Sequence, residues 1–203
     1  PMTGLPQGDS PGLLNSSYTI TADIEVPEGG AEGMILTSGG RFAGYGFYLL
    51  EGKTVFLWNL IKLKRITWEG PEALPPGRHT VEFDFKYDGL GAGTLAYNNM
   101  SGLGQSGTGT LKVNGKVVDT KQMKRTLPII LQWDEQFDIG SDTLTGVNDA
   151  DYKPPFPLTA KLNNLTIKVD RPQLTEEEAK KLENKQAIAV DGNPIHHLQG
   201  GPH

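Results

Sequence analysis

The chain predicts an all-β fold, an antiparallel β-sandwich or jelly roll closed by one C-terminal helix. Three observations carry this. The stretch Gly107 to Asp119, GTGTLKVNGKVVD, sets Asn114-Gly115 between apolar-alternating flanks, and Asn-Gly is the dipeptide that best accepts the two left-handed residues of a type I′ hairpin turn. Tyr18 to Val26 and Arg78 to Tyr87 alternate apolar and polar over their full lengths, the period of a half-buried strand. The 203 residues include Gly 26 and Pro 14, with turn signals every ~8–12 residues, a spacing that suits many short strands.

Pro1 to Leu14 is Gly/Pro-rich without a period and reads as an extended arm or linker, so the boundaries fall at 1–14, 15–170 for the sandwich, and 171–203. In the first strand Ile20, Ala22, Ile24 and Val26 face one way and Thr19, Thr21, Asp23 and Glu25 the other. Pro27-Glu28-Gly29-Gly30 turns the chain, Gly33 to Thr37 is short, and Gly39-Gly40 turns it again. Tyr45 to Leu50 and Thr54 to Leu60 form a second hairpin about Glu51-Gly52, and Lys62 to Trp68 continues the meander. Leu74-Pro75-Pro76-Gly77 leads into Arg78 to Tyr87, with Val81, Phe83, Phe85 and Tyr87 inward. Asp88 to Gly107 is a polar loop before the central hairpin, whose two-residue turn sets Val113 opposite Lys116 and Leu111 opposite Val118. Thr126 to Trp133, Gln136 to Gly140 and Leu158 to Val169 are the last strands, with a bulge at Asn163-Asn164 where the alternation slips by one. Thr175 followed by Glu178 is a capping box, and predicts a helix of about three turns before a polar tail.

Composition narrows function. A net charge of -5 argues against nucleic acid and anionic membranes as partners. No run approaches the ~20 apolar residues of a membrane-spanning helix. There is no cysteine, which removes disulfides, thiolate metal sites and a cysteine nucleophile. Gly102-Leu103-Gly104-Gln105-Ser106-Gly107 matches the dinucleotide pattern, yet a strand follows it where the pyrophosphate needs a helix N-terminus, so that reading is rejected. Ser106 lacks the spacing of a nucleophile elbow, and His79 beside a turn completes no triad.

Alternation places Glu82 and Asp84 on one strand face, where a retaining glycosidase would hold carboxylates ~5–5.5 Å apart. Concanavalin-like β-glucanases resemble this with an E-x-D-x-E strand, but the third position here is Lys86, so a solvated face with Lys86 as counter-charge is the favoured reading. Asp138, Asp142, Asn148, Asp149 and Asp151 crowd FDIGSDTLTGVNDADY. Such hard oxygens suit a structural calcium ion, and they equally suit a plain acidic turn. Trp58 and Trp68 either pack in the core, stack on a sugar, or join Phe56 and Ile66 in a docking patch beside the opening arm.

The runs NSSYTITADIEVPEGGAEGMILTSGGRFAGYGFYLLEGKTVFLWN, LPPGRHTVEFDFKYDG, GTGTLKVNGKVV and FDIGSDTLTGV together resemble the C-terminal β-rich domain of bacterial arylsulfatases, from about Leu5 to Gln186. The resemblance implies a non-catalytic, concanavalin-like sandwich that packs on a sulfatase catalytic domain or subunit, and a periplasmic or extracellular location. It carries over no catalytic residue, because the chain has no Cys and Ser38-Gly39-Gly40-Arg41 lacks the required Pro or Ala. The alternative from another class is a free-standing carbohydrate-binding module of lectin-like fold.

Overall fold

A computed structural model describes residues 1–6, 9–13, 16–60, 64–88, 106–126 and 135–170, with Glu177 and Lys180. The expected strand Thr126 to Trp133 beyond its first residue, residues 89–105 of the loop Asp88 to Gly107 with most of the Gly102–Gly107 pattern, and nearly all of the late helix lie outside these residues.

Among the described residues eleven strands build two antiparallel sheets. The first sheet holds β1 (Met2–Pro6), β3 (Gly33–Gly39), β4 (Gly44–Leu50), β5 (Lys53–Leu60), β6 (Lys64–Ala73) and β10 (Gln136–Ile139), in the order β1-β10-β3-β4-β5-β6. The second holds β2 (Ser17–Val26), β7 (Gly77–Tyr87), β8 (Gly107–Val113), β9 (Lys116–Met123) and β11 (Lys161–Asp170), in the order β11-β2-β7-β8-β9. Part of the stretch read as an arm thus adds an edge strand. It lies at the far edge of the first sheet from β6, away from the proposed docking residues.

The second sheet follows its alternation closely. Ile20, Ala22, Ile24 and Val26 of β2 and Val81, Phe83, Phe85 and Tyr87 of β7 are buried, while the residues between them are more exposed. The register between β11 and β2 shifts between Leu162 and Asn164, placing the bulge where the pattern slipped. The central hairpin is formed with φ of 51° at Asn114 and 77° at Gly115. Val113 faces Lys116 as expected, but a further shift sets Leu111 opposite Asp119 rather than Val118. The hairpin is also less central than its sequence signal implied, because β9 forms the edge of its sheet. A strong local turn signal reports the turn and carries no information about position in the sheet.

The middle strands of the first sheet, β3, β4 and β5, break the simple rule because both their faces are buried. Tyr45, Phe47, Leu49, Phe56, Trp58 and Trp68 meet the second sheet. Met34, Tyr48, Val55 and Leu57 face the other way, under Val147, Tyr152 and Phe156. These last belong to Gly140–Ala160, a strandless span that folds back over the sheet. It is tied to β3 and the residue before it by the backbone bonds Met34 N to Phe156 O (3.1 Å), Gly140 N to Ile35 O (3.0 Å) and Thr159 N to Glu32 O (2.8 Å), and folded on itself by Phe156 N to Asp142 O (3.0 Å).

Two buried tyrosines anchor this covering span. The Tyr48 hydroxyl donates to Asp151 and the Tyr152 hydroxyl to Asp142. Burial first, and then the adjacent carboxylate, pushes both phenols well above their ordinary range. Burial also lifts the Asp142 carboxyl from 3.8 to about 6, against the opposing hydrogen bond from Tyr152. Between those pH values the folded chain keeps a proton that the unfolded chain has lost, so this group's cost grows as pH rises and is complete above about 6.

Two outcomes follow. Gly115→Val destabilises by about 1–2 kcal/mol in denaturant unfolding, because a branched residue resists positive φ; an unchanged midpoint would contradict the turn geometry. Asp142→Asn keeps an acceptor for Tyr152 but cannot titrate. As pH falls from 7.5 to 5, the parent's melting temperature rises by several degrees relative to the variant's, and parallel profiles would contradict the buried, proton-binding state.

Candidate functional site

The outer face of the second sheet carries the glycosidase candidates. Glu82 and Asp84 lie on β7 opposite Thr21 and Thr19. The Thr19 hydroxyl donates to Asp84 (2.9 Å), the Thr21 hydroxyl to Glu82 (3.1 Å), and the Thr80 hydroxyl to Asp23 (2.7 Å). The counter-charge of Glu82 is Lys112 of β8, at 2.7 Å, rather than Lys86. Its hydrogen bond to Glu82 raises the Lys112 pKa. Threonine and carboxylate therefore satisfy each other across the strands, and the face is a wet, cross-linked ladder.

The four aspartates weighed as calcium ligands all sit at or near the covering span, each bonded to protein donors. Asp138, buried, accepts from Gly4 N (2.8 Å), Thr143 N (3.1 Å) and the Thr143 hydroxyl (2.6 Å). Asp142 takes Tyr152, Asp151 takes Tyr48, and Asp149 takes the Arg41 guanidinium. Among the described residues no group of three or more Asp, Glu or His is gathered so as to hold a metal ion. Each carboxylate is held by donors from a separate strand or loop. Those donors, Arg41 and Tyr48, lie about a hundred residues away in the chain, where no local spacing exposes them.

Trp58 and Trp68 require a correction. They are 1% and 0% exposed, and Phe56 is equally buried, so neither tryptophan is available to a sugar or a docking partner. The Trp58 indole donates to the Tyr18 hydroxyl (3.1 Å) and the Trp68 indole to Gly109 O (2.9 Å). Both faces of β5 are apolar, and alternation alone cannot say which one meets the other sheet; Phe56 and Trp58 face it, and Val55 and Leu57 face away.

The aromatic ring that does reach solvent is Phe42, 54% exposed and the one exposed aromatic among the described residues. It sits on the tight turn between β3 and β4, which the Gly39–Gly44 pair closes. A Cβ at Gly39, whose φ is 77°, would lie 2.2 Å from Ala43 O, so that position needs glycine. The turn is pinned from several sides. Gly40 N donates to Ala43 O (2.9 Å), the buried Asn59 amide donates to Gly40 O (3.0 Å) and Arg41 O (2.6 Å), and Arg41 N donates to the Thr145 hydroxyl (3.2 Å). Thr145 in turn donates to the buried Glu135 carboxylate.

Arg41, the residue before Phe42 in the turn, forms a two-pronged pair with Asp149 at 2.7 and 3.2 Å. Both remain partly open to solvent, and Asp149 raises the Arg41 pKa. Leu144, 46% exposed, neighbours Thr145 on the loop bonded to this turn. Phe42 and Leu144 therefore lie on two loops fastened to each other, and the same two loops carry Arg41 and Asp149. No motif announces this arrangement. The sole sequence signal is a phenylalanine inside a glycine-flanked turn.

No protein-family model matches the chain, and no curated protein matches it. Solved structures do. The carbohydrate-binding module, CBM40, of the Ruminococcus gnavus IT-sialidase, bound to α2,6 sialyllactose, matches with a TM-score of 0.50 and 16% identity, over 89% of this chain and 92% of that one. The same module bound to α2,3 sialyllactose matches with a TM-score of 0.50 and 15% identity, over 87% and 89%. Mouse laminin α1 domains LG4-5 match with a TM-score of 0.53 and 15% identity, over 83% of this chain and 40% of that one. These findings correct the arylsulfatase resemblance, with the catalytic partner it implied: the fold neighbours are sialidase binding modules and laminin domains, and no family model supports the sulfatase assignment. Turn-rich alternating sequences share spacing across many sandwiches, and that shared grammar produced the resemblance. The chain has the two-sheet, lectin-like sandwich fold of these neighbours.

Proposed function

We propose that this chain is a carbohydrate-binding module that stacks a sugar ring on Phe42 and meets its hydroxyls with the Arg41–Asp149 pair. The observation that carries the reading is the exposure of Phe42 on a turn held by hydrogen bonds from Asn59 and to Thr145. An exposed aromatic fixed in place loses little conformational freedom on binding, so more of the contact energy appears as affinity. The adjacent guanidinium offers donors in a rigid fork and the carboxylate offers acceptors, the two functions a hydroxyl-bearing ligand requires. Support from outside the chain is the likeness to a sialidase module whose structure holds sialyllactose.

The Thr–carboxylate ladder of the second sheet is a weaker candidate, because its outward-facing described residues include no aromatic ring.

A glycan array that includes sialylated and neutral galactosides tests the proposal. At least one glycan class is retained, and in titration Phe42→Ala weakens that ligand at least tenfold, about 1.4 kcal/mol. Asp149→Ala weakens it in the same direction. The melting temperature of Phe42→Ala stays near the parent's, since the ring is half in solvent. Retention of no glycan, or equal affinity of Phe42→Ala and parent for a retained glycan, would overturn it.

A further inference from the structure

The opposite end of the strands, at the Asn114-Gly115 turn, holds a second concavity with different chemistry. One cleft of about 490 Å³ is lined by Asp23, Arg78, His79, Thr80, Asn114 and Asn163. A groove of about 350 Å³ lies beside it, with Pro71, Leu74, Pro75, Val113 and Val118 among its walls. The two share His79 and Asn114, so a single partition separates a polar hollow from an apolar one.

That partition is built rather than incidental. His79 Nε2 bonds Pro75 O at 2.8 Å; a carbonyl only accepts, so this nitrogen carries the proton. Nδ1 is then free to accept from the Asn114 side-chain amide at 3.0 Å. The Asn114 carbonyl oxygen accepts from Thr80 N (2.9 Å), and Asn114 N donates to Thr80 O (2.7 Å). The same left-handed asparagine that makes the hairpin turn thereby fixes the wall between the hollows. On the polar side, Arg78 has 85% of its side chain exposed, with Glu25 as its salt-bridge partner at 3.9 Å. Asn163 projects from the β11 bulge, where it has no register partner on β2. Asp23 and Arg78 put opposite charges on one lining, which suits a neutral hydroxyl-bearing head better than an ion. On the other side, buried Leu74 and partly buried Val113 and Val118 offer an apolar surface. A concavity of this size with an apolar wall and convergent polar groups is the usual form of a small-molecule site.

We propose that the turn end is a second binding site, separate from Phe42, for a neutral amphiphile: a sugar or polyol head in the polar cleft with an apolar aglycone in the groove. The probes are n-octyl β-glucopyranoside below its micellar concentration and methyl β-glucopyranoside, titrated into ¹⁵N-labelled protein. Octyl glucoside shifts the amides of Arg78 to Thr80, Val113 to Val118 and Leu74, and binds at least tenfold more tightly than the methyl glycoside. Asn114→Gly keeps the positive φ of the turn while removing the shared wall, and abolishes these shifts with the rest of the spectrum unchanged. Val118→Ala reduces the advantage of the octyl chain without touching the methyl glycoside.

Phe42→Ala leaves octyl glucoside binding intact, which separates this site from the module function proposed above; loss of binding in that variant would mean that one site at the other end accounts for both. Equal affinity for the two glycosides, shifts scattered over the surface, or no binding at millimolar octyl glucoside would each overturn the proposal.

Discussion

The contact on which the structure most depends is the meeting of Phe56 and Phe83 between the sheets. Their rings stack with centroids 3.5 Å apart and planes 7° from parallel. Trp68 meets Phe83 edge-on at 4.9 Å, and its indole donates to the backbone of β8 at Gly109. A Cβ at Gly109 would fall 2.5 Å from the Trp68 ring, so the glycine permits the close approach and the tryptophan fills it. Each large ring removed from water contributes roughly 1.5–3 kcal/mol, and together these rings set the spacing and register of the two layers. The neighbouring edge is then sealed by side chains reaching across the sheets: Glu69 N donates to Asp119 (3.0 Å), and Lys121 Nζ to Thr67 O.

Filling that core leaves the two sheets unequal. The first sheet has apolar residues on both faces, so it needs a second cover, which Gly140–Ala160 provides. The second sheet has an apolar inner face and an outer one of threonines and charges that satisfy each other. With one outer face covered and the other largely self-satisfied, the side chains best placed to meet a ligand sit on the turns at the ends of the strands. Phe42 at one end and the Asn114 partition at the other both hang on turns whose glycines the strand geometry demands. The covering span serves both fold and site: its Tyr152 closes the outer layer, and its Thr145 and Asp149 hold the turn that presents Phe42.

On the second sheet, where one face of each long strand is wet, alternation is enough to orient the strands. The orientation of β2 and β7, the Asn114-Gly115 and Glu51-Gly52 turns, and the Asn163 bulge are all visible in alternation and turn chemistry. On β5, where both faces are apolar, alternation does not say which face meets the other sheet, and Phe56 and Trp58, open to a docking or a core reading, fill the core; on β6 Trp68 lies on the apolar side of a half-polar strand and packs inward. The aspartates of 138–151 show a different limit. Their number is plain in the sequence, but what each one does depends on Arg41, Tyr48 and Gly4, brought in by folding. Phe42 is the sharpest case. Nothing in its local sequence separates a buried turn phenylalanine from an exposed one, and the difference arises from Asn59 and Thr145 holding the turn.

The central claim is that ligand meets this sandwich at the pinned Phe42 turn. The most direct measurement is amide chemical-shift mapping during titration with a glycan retained on the array, complemented by nuclear Overhauser contacts between sugar protons and the Phe42 ring. The account predicts shifts confined to Gly40–Ala43 and Thr143–Asp149, with ring-to-sugar contacts at Phe42. Shifts centred on Thr19, Thr21, Glu82 and Asp84, with the Phe42 ring silent, would contradict it and move the site to the open face of the second sheet.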